Sequence, residues 1–477
     1  MNNLKNLYLP PSTYPVRAVL NLPGSKSIAN RVLLLAALAD GESIIHNVPC
    51  VAEDVVLMLQ SLQQLGVRIE RIDNNANNAE GSASYKIIGC CGEFPVREAT
   101  IFCGGSGTLT RFLTAVLAFM PHANYQITGI KRLLERPISD LVDALLQCGA
   151  DITYSQNDGF LPLKIGGYPQ RNIVNDKSIQ NNSSKYKDRI MVNGNISSQF
   201  LSGLLIGVGG VLNEMQEIVV VDELMSKPYI DMTVALLIMF GVDIITGVDS
   251  NNKLKYIIHN GHQNHRNYQN KISHKCRYLK SCTYTIEPDA SSASYFLAMG
   301  SINHGDITIN HLSGKSLQGD KNFAQVLAKM GALSDYLPDS IRVRGRKLKA
   351  IEVDMQDMPD VAMTLAVLAL FATGTTIIHG ISTWRVKETD RAYAMYTELT
   401  KLGATVVLDF NTITITPPKQ ILSNISIDTY NDHRIAMCFS LVALANVPII
   451  IDDYECVNKT FANYFDVYSA ISKFPIC

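Results

Sequence analysis

Met363-Thr364-Leu365-Ala366-Val367-Leu368-Ala369-Leu370-Phe371, followed by Gly374-Thr375-Thr376-Ile377-Ile378, decides the fold. The first run is apolar on nearly every face, which marks a helix buried all round. The second has the β-branched composition of a strand. The same succession recurs where Val32–Ala39 leads to Gly41-Glu42-Ser43-Ile44-Ile45, and before Gly305-Asp306-Ile307-Thr308-Ile309. A second series is interleaved. Leu65-Gly66-Val67, Cys148-Gly149-Ala150, Phe240-Gly241-Val242, Met330-Gly331-Ala332 and Leu402-Gly403-Ala404 each end an amphipathic helical stretch and precede a β-like run. Glycine just past a helix end is the usual left-handed cap. Its recurrence implies repeated α/β modules, with helices inside and amphipathic sheets outside.

The chain has 477 residues, which predicts two or three domains. A net charge of -1 argues against a general binder of nucleic acid or membrane surfaces, so any basic site is local. None of the ten cysteines forms a Cys-x-x-Cys pair, and a reduced cytoplasmic chain is expected. Met1–Val16 has no apolar core of a secretory signal. The apolar stretches Val361–Phe371 and Phe439–Ile451 fall short of the roughly 18 residues of a membrane span. Three polar segments, near 73–84, 170–188 and 249–278, interrupt the repeats and read as surface loops or extended hairpins. His259, His262, His265 and His274 lack regular ligand spacing and read as solvated loop residues, so no metal is called for.

Chemistry concentrates at expected helix starts. Pro23-Gly24-Ser25-Lys26-Ser27-Ile28-Ala29-Asn30-Arg31 sets hydroxyls and cations before an apolar helix, and Ser27 and Arg31 share one face. It is not a P-loop, because Ser25 precedes Lys26 and residue 20 is Leu. Gly104-Gly105-Ser106-Gly107-Thr108 lets backbone N–H groups approach a ligand ahead of the helix containing Arg111. In Glu135-Arg136-Pro137, Pro137 suits a first helical turn, where the cation Arg136 opposes the helix dipole and invites an anion. Ser197-Ser198-Gln199 and Ser226-Lys227-Pro228-Tyr229 also open helices, where the serines could serve as caps. Asp360 could likewise cap the helix that follows it. Lys387 and Arg391 are four apart and are expected on one helix face, with Glu388 beside them, in a charged run that holds the chain's one Trp, Trp384. Asn431-Asp432-His433-Arg434 and Asn458-Lys459-Thr460 complete the set.

These segments, with Asp289-Ala290-Ser291-Ser292-Ala293-Ser294-Tyr295-Phe296, run in order along nearly the whole chain. On them the chain resembles the 5-enolpyruvylshikimate-3-phosphate synthase family of enolpyruvyl transferases. The resemblance implies an α/β fold, a two-domain inside-out α/β barrel with three repeats per domain, buried helices and outer sheets. It implies a continuous domain at 25–286 and a discontinuous one at 1–24 plus 287–477, with the site in the cleft between them.

The family reaction moves the enolpyruvyl group of phosphoenolpyruvate to the 5-hydroxyl of shikimate 3-phosphate and releases phosphate, in chorismate and aromatic amino acid biosynthesis. By resemblance, Lys26, Ser27, Arg31, Ser197, Ser198, Gln199, Ser226, Tyr229, Asp360 and Lys387 should hold shikimate 3-phosphate. Lys26, Gly107, Arg136, Gln199, Arg391, Arg434 and Lys459 should hold phosphoenolpyruvate. Asp360 is assigned the hydroxyl proton and Glu388 the methylene proton, with Lys26 at the bridging oxygen. Seven cations would face about five to six negative charges on the substrates. No cofactor, nucleic acid or membrane partner is implied, and a cytoplasmic monomer is expected. A sister enzyme that uses UDP-N-acetylglucosamine usually opens with Lys-Asn and carries a loop Cys, whereas this chain has Lys26-Ser27 and no evident loop Cys. A silent binder of anionic metabolites would not call for the pair Asp360 and Glu388.

Three departures from the family pattern stand beside the site. Gly105-Ser106 replaces the usual Asn-Ala, Phe112 replaces a Pro, and Thr383 stands where an Asn is common. An altered response to glyphosate, the family's inhibitor, is expected from them.

Overall fold

A computed structural model describes residues 5–12, 14–72, 78–168, 189–212, 215–259 and 279–473. The 170–188 segment, most of 249–278 and the histidines at 262, 265 and 274 lie outside the described residues. One half of the molecule carries helices α1 (Lys26–Leu38), α2 (Glu53–Gln64), α3 (Gly107–Leu117), α4 (Lys131–Leu134), α5 (Ser139–Gln147), α6 (Ser198–Val211) and α7 (Lys227–Met239). The other carries α8 (Ala290–Ser301), α9 (Phe323–Lys329), α10 (Ala362–Leu368), α11 (Arg391–Lys401), α12 (His433–Phe439) and α13 (Tyr464–Ser472).

Every residue of α3, α10 and α12 is buried, as are Ile28–Leu38 of α1. Such helices can only sit inside, and the sheets wrap them. Two separate apolar cores result. One is drawn from residues 28–286, the other from Leu7–Leu22 together with Ala290–Tyr468.

One strand order is used repeatedly: a parallel pair, then two antiparallel pairs. Thr283–Thr285, Glu42–Val48, Ala83–Ile88 and Arg68–Ile72 make the first such sheet. Glu98–Phe102, Asn124–Thr128, Leu163–Gly166 and Ile152–Tyr154 make the second. Arg189–Val192, Gln216–Val220, Leu254–His259 and Asp243–Val248 make the third. In the other half the order recurs in Arg17–Leu20, Asp306–Asn310, Ser340–Arg344 and Leu333–Leu337. It recurs again in Glu352–Asp354, Thr376–His379, Thr412–Thr416 and Thr405–Leu408. The sixth sheet keeps three strands: Ile425–Ile427, Ile449–Ile451 and Leu7–Leu9.

The repeat glycines behave as the sequence requires. Gly66, Gly149, Gly241, Gly331 and Gly403 have φ between 88° and 107°, each just past a helix and before a strand. The described part of the third polar segment is the extended hairpin, one of its two readings, with Asp243–Val248 turning back into Leu254–His259. Leu254–His259 is an inner strand that buries Tyr256 and Ile258, because its apolar residues alternate amid polar neighbours.

The chain passes between halves twice, and the two passages bond to each other. Gly24 and Pro288 form an antiparallel bridge. Ser25 N donates to Glu287 O at 2.8 Å, and Asp289 N donates to Pro23 O at 3.0 Å.

Among the described residues no helix is long and apolar enough to cross a membrane. Seven described cysteines are free, but Cys91 is disulfide-bonded, contrary to the expectation of a fully reduced chain. Cys91 sits on a turn at φ 54° and is half-buried.

Candidate active site

One cleft is lined by the first turns of α1, α3, α6, α11 and α12 and by Ser226 and Tyr229 at the start of α7. Each helix start brings unpaired N–H groups and partial positive charge. The starts are fixed by caps. Ser25 accepts from Ile28 N at 3.5 Å, Ser106 from Leu109 N at 3.4 Å and Ser197 from Gln199 N at 3.2 Å. Asp390 and Asp432 cap α11 and α12. Ser226 instead takes a left-handed backbone, φ 56°, and makes no side-chain cap bond. Every residue the sequence assigned lines this cleft except Lys459. Lys459 lines an adjoining cavity that shares Asp54, Arg136 and Glu388.

The charges form a network. Asp360 takes Arg391 Nη1 and Arg434 Nη2, both at 2.9 Å, and lies 3.7 Å from Lys387 Nζ. Burial alone would raise its carboxyl. Arg434, Lys387 and Arg391 outweigh that and hold it far below the usual carboxylate range. Arg391, 1% exposed, also binds Glu388 at 2.8 Å and Asp432 at 2.7 Å. Glu388 Oε1 lies 3.3 Å from Lys459 Nζ. Against the cost of burial, Lys459, Arg391 and Arg136 hold Glu388 well below its ordinary value.

Lys26 reaches Asp54 Oδ2 at 2.9 Å. Burial opposes its charge, but Asp54 and Glu388 prevail and raise its pKa. Arg31 is held by Thr233 Oγ1 at 2.7 Å, the Ser27 carbonyl at 2.8 Å and the Tyr229 carbonyl at 3.2 Å, and it lies over the Phe112 ring at 4.9 Å. Burial lowers its pKa to about 10. Arg136 is different: it makes no side-chain hydrogen bond or ion pair among the described residues, and its Nε is buried without a partner. A Cβ at Gly107 would sit 2.9 Å from both Arg136 Nη atoms and 3.0 Å from Arg111 Nη1. Two buried guanidiniums thus converge on a glycine at a helix start, an arrangement suited to a phosphate or carboxylate.

Several members were not singled out from sequence. Asp54 reads as an ordinary first-turn acid of an amphipathic helix. Asp432 reads as a cap, which it also is, accepting from Arg434 N at 2.9 Å. Arg132 on α4 donates across the cleft to the Glu388 carbonyl at 3.0 Å and the Lys387 carbonyl at 3.1 Å. Lys459 Nζ likewise donates across it to Gly105 O at 3.2 Å. His433 is 1% exposed, and neither ring nitrogen has a hydrogen-bond partner. Burial, with Arg434 and Lys26 adding, lowers its pKa well below the usual value, so the ring is neutral.

Some local readings change. Arg136 does not start a helix: it follows α4 on a turn, donating its N–H to Leu133 O at 3.2 Å, and α5 begins only at Ser139. Asp360 is not a cap, since α10 starts at Ala362 and the carboxylate is taken by guanidiniums. Lys387 and Arg391 do not share a helix face. A 3-10 turn, Ser382–Val386, ends before Lys387, and α11 starts at Arg391. Of the charged run, Lys387, Glu388 and Arg391 are folded into the cleft, while Arg385 and Asp390 stay partly exposed outside it.

The departures acquire physical content. The Ser106 hydroxyl is buried as a helix cap, and the residue is not among those lining the cleft. At Gly105, a Cβ would meet Ile130 Cδ1 at 3.3 Å and Lys459 Nζ at 3.6 Å, so the missing side chain leaves room for the lysine. Thr383 lines the cleft with Oγ1 buried and unpaired.

A family model described as EPSP synthase (3-phosphoshikimate 1-carboxyvinyltransferase) matches residues 11–468. The 3-phosphoshikimate 1-carboxyvinyltransferases of Burkholderia vietnamiensis and Nitrosomonas eutropha are each 44% identical over 461 residues, covering 95% of this chain and 96% of theirs. The structure of EPSP synthase from Acinetobacter baumannii is similar at a TM-score of 0.72, with 22% identity and 98% of both chains covered. The enolpyruvyl transferase NikO from Streptomyces tendae gives 0.70 with 14% identity, over 99% of this chain and 98% of that one. At such identities these two structures show the shared fold alone.

Proposed function

The chain belongs to the EPSP synthase (3-phosphoshikimate 1-carboxyvinyltransferase) family, and we propose that the helix-start cleft is where its reaction occurs. It is a transferase of the shikimate pathway, acting in aromatic amino acid biosynthesis on phosphoenolpyruvate and shikimate 3-phosphate. The observation that carries the assignment to this cleft is the convergence of Lys26, Arg136, Lys387, Arg391 and Arg434 on one set of helix N-termini.

In this reading Ser27, Arg31, Ser197, Ser198, Gln199, Ser226, Tyr229 and Lys387 hold shikimate 3-phosphate. Gly107, Arg136, Gln199, Arg391, Arg434 and Lys459 hold phosphoenolpyruvate, and Lys26 touches both. The methylene carbon of phosphoenolpyruvate gains a proton as its C2 becomes electrophilic. The 5-hydroxyl attacks C2 and gives its proton to Asp360. The resulting tetrahedral ketal expels phosphate, with Lys26 at the bridging oxygen, and the methyl group returns a proton to restore the double bond. Glu388 handles the carbon-bound proton.

Without substrate, both carboxyls are too acidic for efficient proton transfer, since efficiency is greatest near the working pH. Substrate phosphates and carboxylates compete for Arg391, Arg434, Lys387 and Lys459. Their arrival relieves Asp360 and Glu388 of cations and raises both pKa values toward a useful range. The acids therefore act only in the loaded site.

The two apolar cores support domains at 25–286 and at 1–24 plus 287–477. The test is phosphate release from phosphoenolpyruvate with shikimate 3-phosphate as acceptor, compared with UDP-N-acetylglucosamine. Release with the second acceptor alone would overturn the assignment.

A further inference from the structure

Asp320 is a buried acid that the reaction does not use. It lies in the segment Ser316–Asp320, which wraps the second passage between the halves. Ser316 Oγ donates to Glu287 Oε2, Leu317 N donates to Glu287 Oε1 at 3.1 Å, and Gln318 Nε2 donates to Pro288 O at 2.8 Å. Gln318 Oε1 accepts from Ala290 N at 2.9 Å. The backbone position of Asp320 is therefore fixed by the passage itself.

The residue is 4% exposed, and its carboxylate meets the other half. Oδ2 accepts the Ser291 hydroxyl and, at 3.3 Å, the Tyr229 hydroxyl from α7 of the other half. Oδ1 is buried without a partner. Tyr229 in turn offers its carbonyl to Arg31 Nη2 at 3.2 Å and Thr233 Oγ1 at 2.9 Å. One phenol–carboxylate contact thus joins the wrapped passage to the helix start that carries Ser226, Tyr229 and the support of Arg31.

A carboxyl buried among hydroxyls, with one oxygen unsatisfied, is a costly way to fill space. Burial, with Asp360 adding and Ser291 and Arg434 opposing, pushes it up to about 6. An apolar side chain would pack there without that cost.

We propose that Asp320 is a positioning residue that holds the Tyr229 hydroxyl across the cleft and so shapes the shikimate 3-phosphate pocket when the halves are together. This rests on the reading of Tyr229 as a member of that pocket.

The test uses Asp320→Ala, Asp320→Asn, Tyr229→Phe and the double variant Asp320→Ala/Tyr229→Phe. Both KM values are measured, together with equilibrium binding of shikimate 3-phosphate through fluorescence of Trp384, whose indole N–H donates to Pro359 O at 2.7 Å beside Asp360. Asp320→Ala and Tyr229→Phe should each raise the KM and dissociation constant for shikimate 3-phosphate about tenfold, as loss of a hydrogen bond to a charged group does. The KM for phosphoenolpyruvate should stay within about threefold, and the double variant should be no worse than either single one. Asp320→Asn keeps an acceptor oxygen and should restore binding to within about threefold of wild type. If Asp320→Ala fails to fold, Tyr229→Phe and Asp320→Asn still decide. Equal losses on both substrates, additive effects in the double variant, or an Asn variant as poor as Ala would overturn the proposal. Wild-type chain that releases no phosphate with shikimate 3-phosphate would instead overturn the enzyme reading on which it stands.

Discussion

Lys26 Nζ lies 2.9 Å from Asp54 Oδ2, with the two side chains 12% and 4% exposed. Removing Asp54 would leave Glu388 alone to offset the opposing effects of burial and Arg434 on the ammonium. With Asp54→Asn the pKa of Lys26 should fall, so the alkaline limb of kcat/KM should move toward neutral pH. A loss of about 10- to 100-fold in kcat/KM at pH 8 is expected, because a charge-assisted contact is worth ~1.5–3 kcal/mol. Kinetics between pH 6 and 10 check this, and an unmoved alkaline limb would remove Lys26 from it.

Asp360→Asn separates chemistry from binding. Turnover should fall by about two to four powers of ten, the scale of general-base catalysis. The substitution also frees Arg391 and Arg434 from an acid they now share. Affinity for the anionic substrates should therefore hold or tighten. Near-normal turnover would take Asp360 out of the base role.

Gly107→Ala would drive a methyl group against Arg136 and Arg111. The glycine sits on a helix start, so its backbone cannot retreat without disturbing α3. The KM for phosphoenolpyruvate should rise at least about tenfold through displacement of Arg136, with a smaller effect on shikimate 3-phosphate. Parallel loss of both affinities would contradict the division of the cleft.

Ser106→Ala distinguishes a cap from a ligand. Loss of the cap should cost ~0.5–2 kcal/mol of stability in chemical denaturation. The KM for phosphoenolpyruvate should remain within about twofold, because the hydroxyl is directed at Leu109 N. A large KM change with no loss of stability would show the hydroxyl acting in the cleft.

Arg132→Ala removes two hydrogen bonds across the cleft, from a half-exposed side chain. Stability should change by less than ~1 kcal/mol. Both KM values should rise together, since the loss falls on approach of the halves rather than on one ligand. A change confined to one substrate would argue that Arg132 is a direct ligand.

The sequence made the repeats legible because a glycine cap and an all-apolar helix leave local marks. Gly66 and its four counterparts needed no knowledge of distant residues. The helix starts capped by Ser25, Ser106 and Ser197 were legible for the same reason, whereas those read at Arg136 and Asp360 were not helix starts. What stayed hidden was pairing over long separations: Asp54 with Lys26, Arg132 with the carbonyls of Lys387 and Glu388, Asp320 with Tyr229. An acid in the first turn of α2 looks alike whether it faces water or a buried lysine. The charge arithmetic was incomplete for that reason. It counted seven cations but not Asp54 and Asp432, which partly neutralise them before substrate arrives. The Lys387 to Arg391 segment was misread because spacing by four was taken as helical, while Asp390 starts a new helix there.

The sheets borrowed across the two passages also bear on how the chain is made. Leu7–Leu9 leaves the ribosome more than four hundred residues ahead of its partner Ile449–Ile451. Arg17–Leu20 waits for Asp306–Asn310. At roughly 5–20 residues per second, the N-terminal strands remain unpaired for on the order of tens of seconds. The half beginning at Lys26 can collapse meanwhile, but its first sheet stays open at one edge until Thr283–Thr285 is translated. Completion of the second half thus reaches back to strands made long before it, and a nascent chain halted before Ile449–Ile451 leaves Leu7–Leu9 and Ile425–Ile427 without the strand that pairs both.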